Sequence, residues 1–176
     1  VIFMGDPKKP QKKYSAPKHP WRSEQLSQEL YILGTYGLRN KRELWKAHTE
    51  LSRIRKQARM LLAAPQEIRI KKEKELLSSL NNMGIVDLKS GLDDVLSLTV
   101  ENLLERRLQT VVWRKGIALS PYQARQLITH GHIMIGDKTV TRPGYIVKRD
   151  EYDKIRLSES SVFKSGTLSI QGEKNE

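Results

Sequence analysis

The histidines offer the first chemistry to consider. His130 and His132 form a His-x-His pair, and imidazole is a common zinc ligand, but a zinc site needs three or four donors. His19 and His48 lie far off in the sequence, and the chain has no cysteine. The pair is therefore expected to hydrogen-bond or stack, not to hold metal. Asp93-Asp94 offers two carboxylates. Adjacent helical positions point in different directions, and acids at a helix start suit the macrodipole. No nucleophile–base arrangement, phosphate-cradling glycine loop or paired-histidine metalloenzyme motif is visible. The residues point to binding without catalysis, metal or cofactor. What remains is phosphate neutralisation by lysine and arginine, which gives steeply salt-dependent binding of a polyanion.

The charge supports this. Of 176 residues, 32 are Lys or Arg and 20 are Asp or Glu, a net charge of +12. Apolar residues make up 38%, so a small core is expected with much of the chain solvated or bound. Without cysteine there is no disulfide scaffold. No apolar run approaches the roughly 18 residues a membrane helix needs, and no secretory leader is visible. Met4, after the stub Val1-Ile2-Phe3, is a candidate start. The expectation is a soluble, intracellular protein with an acidic partner. Residues 1–22 carry Lys8, Lys9, Lys12, Lys13, Lys18 and Arg22 against Asp6. Residues 39–60 carry eight cations, Arg42, Lys46, Arg53 and Lys56 among them, against Glu43 and Glu50. A less charged middle follows. Residues 105–130 are basic again, with Arg106, Arg107, Arg114, Lys115 and Arg125.

These side chains need elements to position them. Pro7, Pro10, Pro17 and Pro20 make residues 1–21 an extended basic tail. Trp21 is expected to anchor a helix over about 22–36, with Leu26, Leu30 and Leu33 inward and Gly37 as its stop. Asn40 and Glu43 form a capping-box pattern. Leu44, Ala47, Leu51, Ile54, Ala58 and Leu61 then make one apolar stripe, with Arg42, Lys46, Arg53 and Lys56 on nearly the opposite face. Charged faces are commonly just solvated, but this one is nearly single-signed and suits a polyanion. Residues 66–83 read as a further helix with Leu76, Leu77 and Leu80 inward, and 92–98 as a helical turn. Thr99 is expected to cap one helix running to Lys115, with Leu104, Leu108, Val111 and Val112 inside and Arg106 and Arg107 on the outer flank. Ser120, Pro121 and Gln123 start another helix that stops at Gly131. Tyr122 is expected to pack against the preceding helix, with stacking on a base as the alternative, and Trp45 and Trp113 to be partly buried anchors. Residues 132–135, 138–141 and 154–157 read as short strands, the first two joined at Gly136-Asp137. The fold class is α+β: a helical region over 22–98, a small helix-and-hairpin unit over 99–157, and a polar tail over 158–176.

Ala124-Arg125-Gln126-Leu127-Ile128, His130-Gly131-His132-Ile133, Val140, Pro143 and Val147 resemble the S-four RNA-binding domain, a helix–turn–helix followed by a β-hairpin region. Glu105 to Val112 is similar to its opening helix. Met4 to Pro10, His19-Pro20-Trp21 and Gly37 to Glu43 resemble the archaeal and eukaryotic branch of the S-four family of small-subunit ribosomal proteins. The likeness covers nearly the whole chain. It departs at the hairpin turn, where many copies have Asn-Gly, and at Pro121, where many have a basic residue. The bacterial branch's cysteine cluster is absent.

The resemblance implies a non-enzymatic constituent of the small ribosomal subunit in the cytoplasm. It implies binding to a multi-helix junction in the 5′ domain of the small-subunit RNA, a primary role in assembly, a place near the mRNA entrance, and neighbouring ribosomal proteins as partners. Folded RNA is read mainly through backbone and shape, which suits several basic faces and a tail that orders on binding. Arg106, Arg107 and Arg125 are the foremost candidate contacts, because arginine grips phosphate bidentately from a rigid helix. Lys8, Lys9, Lys12 and Lys13 on the tail and Arg42, Lys46, Arg53 and Lys56 on the long helix join them. Arg114, Lys115, His130, His132, Lys138 and Arg142 complete the set in the module. Removing the side chains of Arg106 and Arg107 together is expected to weaken RNA binding and spare folding. Two rivals are an RNA-modifying or quality-control factor, such as a pseudouridine synthase, and a general nucleic-acid-packing protein.

Overall fold

The computed structural model describes residues 11–87, 90–158, 161 and 163. Lys8, Lys9, Met4 and most of the expected C-terminal tail lie outside the described residues. The architecture is mostly helical with one small antiparallel sheet, the α+β class.

Helix α1 (Ser23–Tyr36) ends at Gly37, whose φ of 59° is left-handed. A Cβ there would also stand 2.6 Å from the Pro121 Cβ, so two constraints require glycine. The buried stripe of α1 differs from expectation. Leu30 is exposed, as is Trp21, which anchors nothing. Leu26 and Leu33 are half-buried as expected, but the buried positions of the helix are Glu29 and Tyr36. An acid is tolerated on that stripe because its carboxylate is satisfied. It accepts from Trp45 Nε1 at 3.1 Å and from Gln25 at 3.1 Å, and pairs with Lys41 at 3.0 Å.

Helix α2 (Lys41–Leu62) follows its pattern closely. Leu44, Leu51, Ile54, Ala58 and Leu61 are buried, and Ala47 is half-buried. Asn40 Oδ1 accepts the Glu43 amide, but the Glu43 carboxylate does not return to the cap. Helix α3 (Gln66–Asn82) buries Leu80 against α2, with Leu76 and Leu77 packed at the margin. Helix α4 (Leu92–Ser97) starts where Asp94 accepts the Gly91 amide at 2.9 Å, so one member of the acidic pair is a cap. These helices share a core with Leu51, Leu80, Val95 and Leu103 at its centre.

The expected helix from Thr99 to Lys115 is two. Helix α5 (Val100–Glu105) stops at Arg106 and α6 (Leu108–Arg114) begins after Arg107, which is extended (φ −71°, ψ 141°). The competing partner is a distant segment. The Val147 amide donates to Arg106 O at 2.9 Å and the Leu108 amide to Tyr145 O at 2.7 Å, with Arg107 bridging Ile146. The Leu108 bond, with that of the Gln109 amide to Pro143 O at 3.3 Å, satisfies the first two amides of α6, which a continuous helix would have bonded internally. Thr99 holds the cap position, but its hydroxyl donates to Asn102 and caps nothing.

Helix α7 (Pro121–Thr129) starts as expected, with Ser120 Oγ accepting the Gln123 amide. The Gln123 side chain accepts from Leu119, not from the cap residue. Strand β1 (Ile133–Ile135) is central, flanked by β2 (Lys138–Thr139) and β3 (Ile155–Leu157) in the antiparallel order β2-β1-β3. Met134 faces Thr139 on one side and Arg156 on the other. A 3-10 turn, Arg149–Glu151, precedes β3. Helices α6 and α7 pack on the sheet through Leu108, Val112, Ile128, Ile133 and Val147, a second core. A third, smaller cluster of Tyr36, Leu38, Leu44 and Leu104 joins α1 and α2 to α5.

Candidate nucleic-acid interface

The structure sorts the expected cations into two groups. Arg42, Lys46, Arg53 and Lys56 are exposed along one face of α2. Lys138 and Arg142 are exposed at the hairpin and the loop beyond it. Lys12 and Lys13 are exposed on the tail, which is tied down locally: the Ser15 amide donates to Thr49 Oγ1, and the Tyr14 ring lies 5.8 Å from Trp45. Lys12 Nζ sits 4.6 Å from the Tyr14 ring.

The second group is engaged with the protein itself. Arg106 Nε donates to Met83 O at 2.9 Å, and its guanidinium covers Gly84, where a Cβ would be 1.9 Å from Nη2. It also faces the Tyr152 ring. Arg107 has a side chain only 11% exposed and donates to Glu43 Oε2 at 2.9 Å. The expected outer flank is thus inside, because the break between α5 and α6 turns both arginines toward protein. Arg125 donates to Glu43 Oε1 at 2.6 Å and to Gln109 Oε1 at 3.3 Å. Arg114 grips Glu105 through two nitrogens, at 2.8 and 3.3 Å, and lies over Trp113. Lys115 sits on the Tyr152 ring and donates to the Tyr152 carbonyl.

The histidine pair is split in burial. His130 is exposed, His132 half-buried, with ring centroids 6.4 Å apart. His132 meets Phe163 edge-on at 5.1 Å, beside an apolar notch floored by Leu127. Among the described residues, no group of three His, Asp or Glu side chains is placed to hold a metal ion. Tyr122 is 59% exposed and does not pack. Trp45 and Trp113 are half-buried, as expected.

Two residues at the centre of this arrangement carried no such role in the sequence. Glu43, read as a capping partner, collects Arg107 and Arg125 at the mouth of a cleft of about 300 Å³ that Lys46 and Gly144 also line. Burial alone raises its carboxyl, but Arg125's hydrogen bonds and the charges of both arginines outweigh that and hold it below its ordinary value. Gln109 is 1% exposed and lies beneath Arg125. Its amide nitrogen donates to Gly37 O at 2.8 Å, Pro121 O at 2.9 Å and Tyr36 O at 3.3 Å. A polar residue breaking the apolar run Leu108–Val112 was the available signal.

The chain thus has two parts, a helical region with one basic face and a helix pair packed on a small sheet. The comparisons agree on both. The S4 domain model matches residues 106–151, and the model described as Ribosomal protein S4/S9 N-terminal domain matches residues 8–105. The chain is 58% identical to the small ribosomal subunit protein uS4 of Ignicoccus hospitalis, over 91% of this chain and 96% of that protein. It is 52% identical to the uS4 of Hyperthermus butylicus and 53% to that of Sulfurisphaera tokodaii, each over 98% of both chains. The chain belongs to the uS4 family of small-subunit ribosomal proteins. That family is structural and not enzymatic.

Proposed function

We propose that this protein is a structural constituent of the small ribosomal subunit in the cytoplasm, where it binds the subunit's RNA and neighbouring ribosomal proteins. The observation that carries the proposal is a likeness along nearly the full chain to proteins named for that subunit. The finer reading is also ours: contact with a junction in the RNA 5′ domain, nucleation of assembly, and a contribution to the mRNA entrance. Its support is the distribution of free cations. Arg42, Lys46, Arg53 and Lys56 form a rigid row on a 22-residue helix, and Lys138 and Arg142 project from the module. Together with the tail lysines they are the proposed phosphate contacts. The engaged group, Arg106, Arg107, Arg114, Lys115 and Arg125, is assigned mainly to holding the protein's own parts together. Family membership displaces the rival reading of an RNA-modifying factor.

Sedimentation of the native protein in a lysate gradient, before and after a high-salt wash, tests the proposal. Recovery in the small-subunit peak through the wash is expected. Recovery at the top of the gradient, free of small-subunit RNA, would overturn it. On the α2 face, Arg53→Ala with Lys56→Ala should weaken binding to small-subunit RNA with no change in melting. The log-affinity against log-salt slope should fall by about one per lost contact. An unchanged slope removes these two residues from the interface.

A further inference from the structure

We infer that Glu43 is a positioning residue for RNA binding, clamping the S4 module onto the helical region so that one folded RNA meets both basic surfaces at a fixed angle. The inference rests on the RNA-binding reading above. Glu43 belongs to the first turn of α2 in the helical region, whereas Arg107 and Arg125 stand at α6 and α7 of the module. One carboxylate therefore joins three elements, with contacts of 2.9 Å to Arg107 and of 2.6 and 3.2 Å to Arg125. The pairs span 64 and 82 residues of sequence. The side chains are largely shielded, at 18% exposure for Glu43, 11% for Arg107 and 21% for Arg125, so water screens them less than it does a surface pair.

The helices up to α5 and the helix-and-sheet unit have separate apolar cores, and among the described residues the third cluster, around Tyr36, Leu38, Leu44 and Leu104, includes none from α6, α7 or the sheet. Polar contacts must then supply much of the orientation. Gln109 extends the clamp beneath Arg125 to the turn at Gly37 and the start of α7. A protein that binds RNA from two surfaces gains affinity when those surfaces are already set at the right angle, because ordering is not deferred to the moment of binding. The sign of the charge makes the idea sharp. Glu43 is an acid beside Lys46, Arg107 and Arg125, in a chain of net charge +12. By charge alone its removal should strengthen attraction to a polyanion. If it positions the module, its removal should weaken binding.

The test is Glu43→Gln, which keeps the side-chain shape and one acceptor oxygen, in the full-length protein. Binding to a small-subunit RNA 5′-domain transcript is measured across salt concentrations. The native chain has no cysteine, so Gln57→Cys and Asp153→Cys, both at exposed positions, take spin labels for a distance measurement between the two regions. The expected result is a broadened distance distribution, about tenfold weaker RNA binding at physiological salt, and a salt slope unchanged from wild type. Should Glu43→Gln fail to fold, Arg125→Lys is the second variant. It keeps the charge and loses the forked grip, and it should give a smaller loss with the same slope. An unchanged distance distribution overturns the inference, as does equal or tighter binding. A slope lowered by about one in Arg107→Ala or Arg125→Ala also overturns it, since those arginines would then contact phosphate. Failure of the wild-type protein to bind the transcript is a different result: it overturns the RNA-binding reading, and this inference with it.

Discussion

Gln109→Leu tests the polar joint at its most buried point. The side chain is 1% exposed, and leucine fills a similar volume. Its amide has two hydrogens and shares them among three backbone carbonyls, with Gly37 at 2.8 Å and Pro121 at 2.9 Å the nearest. Leucine takes this donor from both. Stranding the Gly37 acceptor costs about 1–3 kcal/mol, and the lost second bond to Pro121 O, which keeps its helical donor in α7, costs about 0.5–1.5 kcal/mol, together about 1.5–4.5 kcal/mol. Leucine returns about 1 kcal/mol through its added apolar surface. The net loss expected is about 0.5–3.5 kcal/mol. For a chain of this length that lowers the melting temperature by about 1–14 °C. Urea unfolding followed by circular dichroism, with thermal melts alongside, reads both figures. Gln109→Glu sharpens the assay, because it keeps an acceptor for Arg125 but brings a carboxylate against the same carbonyls, so it should be no more stable than the leucine variant at neutral pH. A loss below about 0.5 kcal/mol for Gln109→Leu would refute the reasoning, since Gly37 O would then have found another donor.

Tyr36 donates its hydroxyl to Glu105 at 3.1 Å. Burial, then the Glu105 charge, pushes the phenol up to about 12. The unfolded chain loses that proton near its ordinary 10, so the folded form holds one more proton between about pH 10 and 12. Stability should fall across that window by about 1.4 kcal/mol per pH unit from this group. Tyr36→Phe should remove that part of the slope, and identical alkaline melting profiles for the two proteins would count against it. Arg106→Ala leaves Met83 O without its donor and uncovers the turn at Gly84. A loss of about 1–2 kcal/mol in urea unfolding is expected, so the double substitution at Arg106 and Arg107 should not spare folding as their sequence context suggested. A fold as stable as wild type would return Arg106 to the candidate phosphate contacts.

Much of the local structure is legible because its causes are local. The stripe of α2 repeats at three and four residues, and every member is at least half-buried. Asn40 and Ser120 cap as their chemistry dictates, and Gly37, Gly116 and Gly131 stop helices with positive φ. The errors share a different origin. The break at Arg106 and Arg107 is set by Tyr145 and Val147, whose backbone outcompetes helix continuation there. Nothing within one helical turn of the break announces that partner. Tyr122 and Trp21 look like packing residues by type, yet both are exposed in the fold. Glu29 lies on the buried stripe because Lys41 and Trp45 come round to meet it.

The candidate site was legible as chemistry but not as geometry, and arginine shows why. A guanidinium fork fits a carboxylate and a phosphate almost equally well. A basic helix can therefore grip RNA or its own protein, and composition cannot separate the two. What separates them is where the acids lie once the chain has folded. Glu43 is one acid in a strongly basic block, and it takes up both Arg107 and Arg125. A phosphate seeking either arginine must displace a carboxylate already tethered in place. The same phosphate reaches Arg53, Lys56, Lys138 or Arg142 at exposed positions, where the chief cost is shedding water and counterions, and counterion release favours binding. This is why the exposed row on α2 is the phosphate surface proposed here, though the engaged arginines have the better intrinsic geometry. On the proposed reading, Glu43 is in place among these cations because it holds the basic surfaces in register.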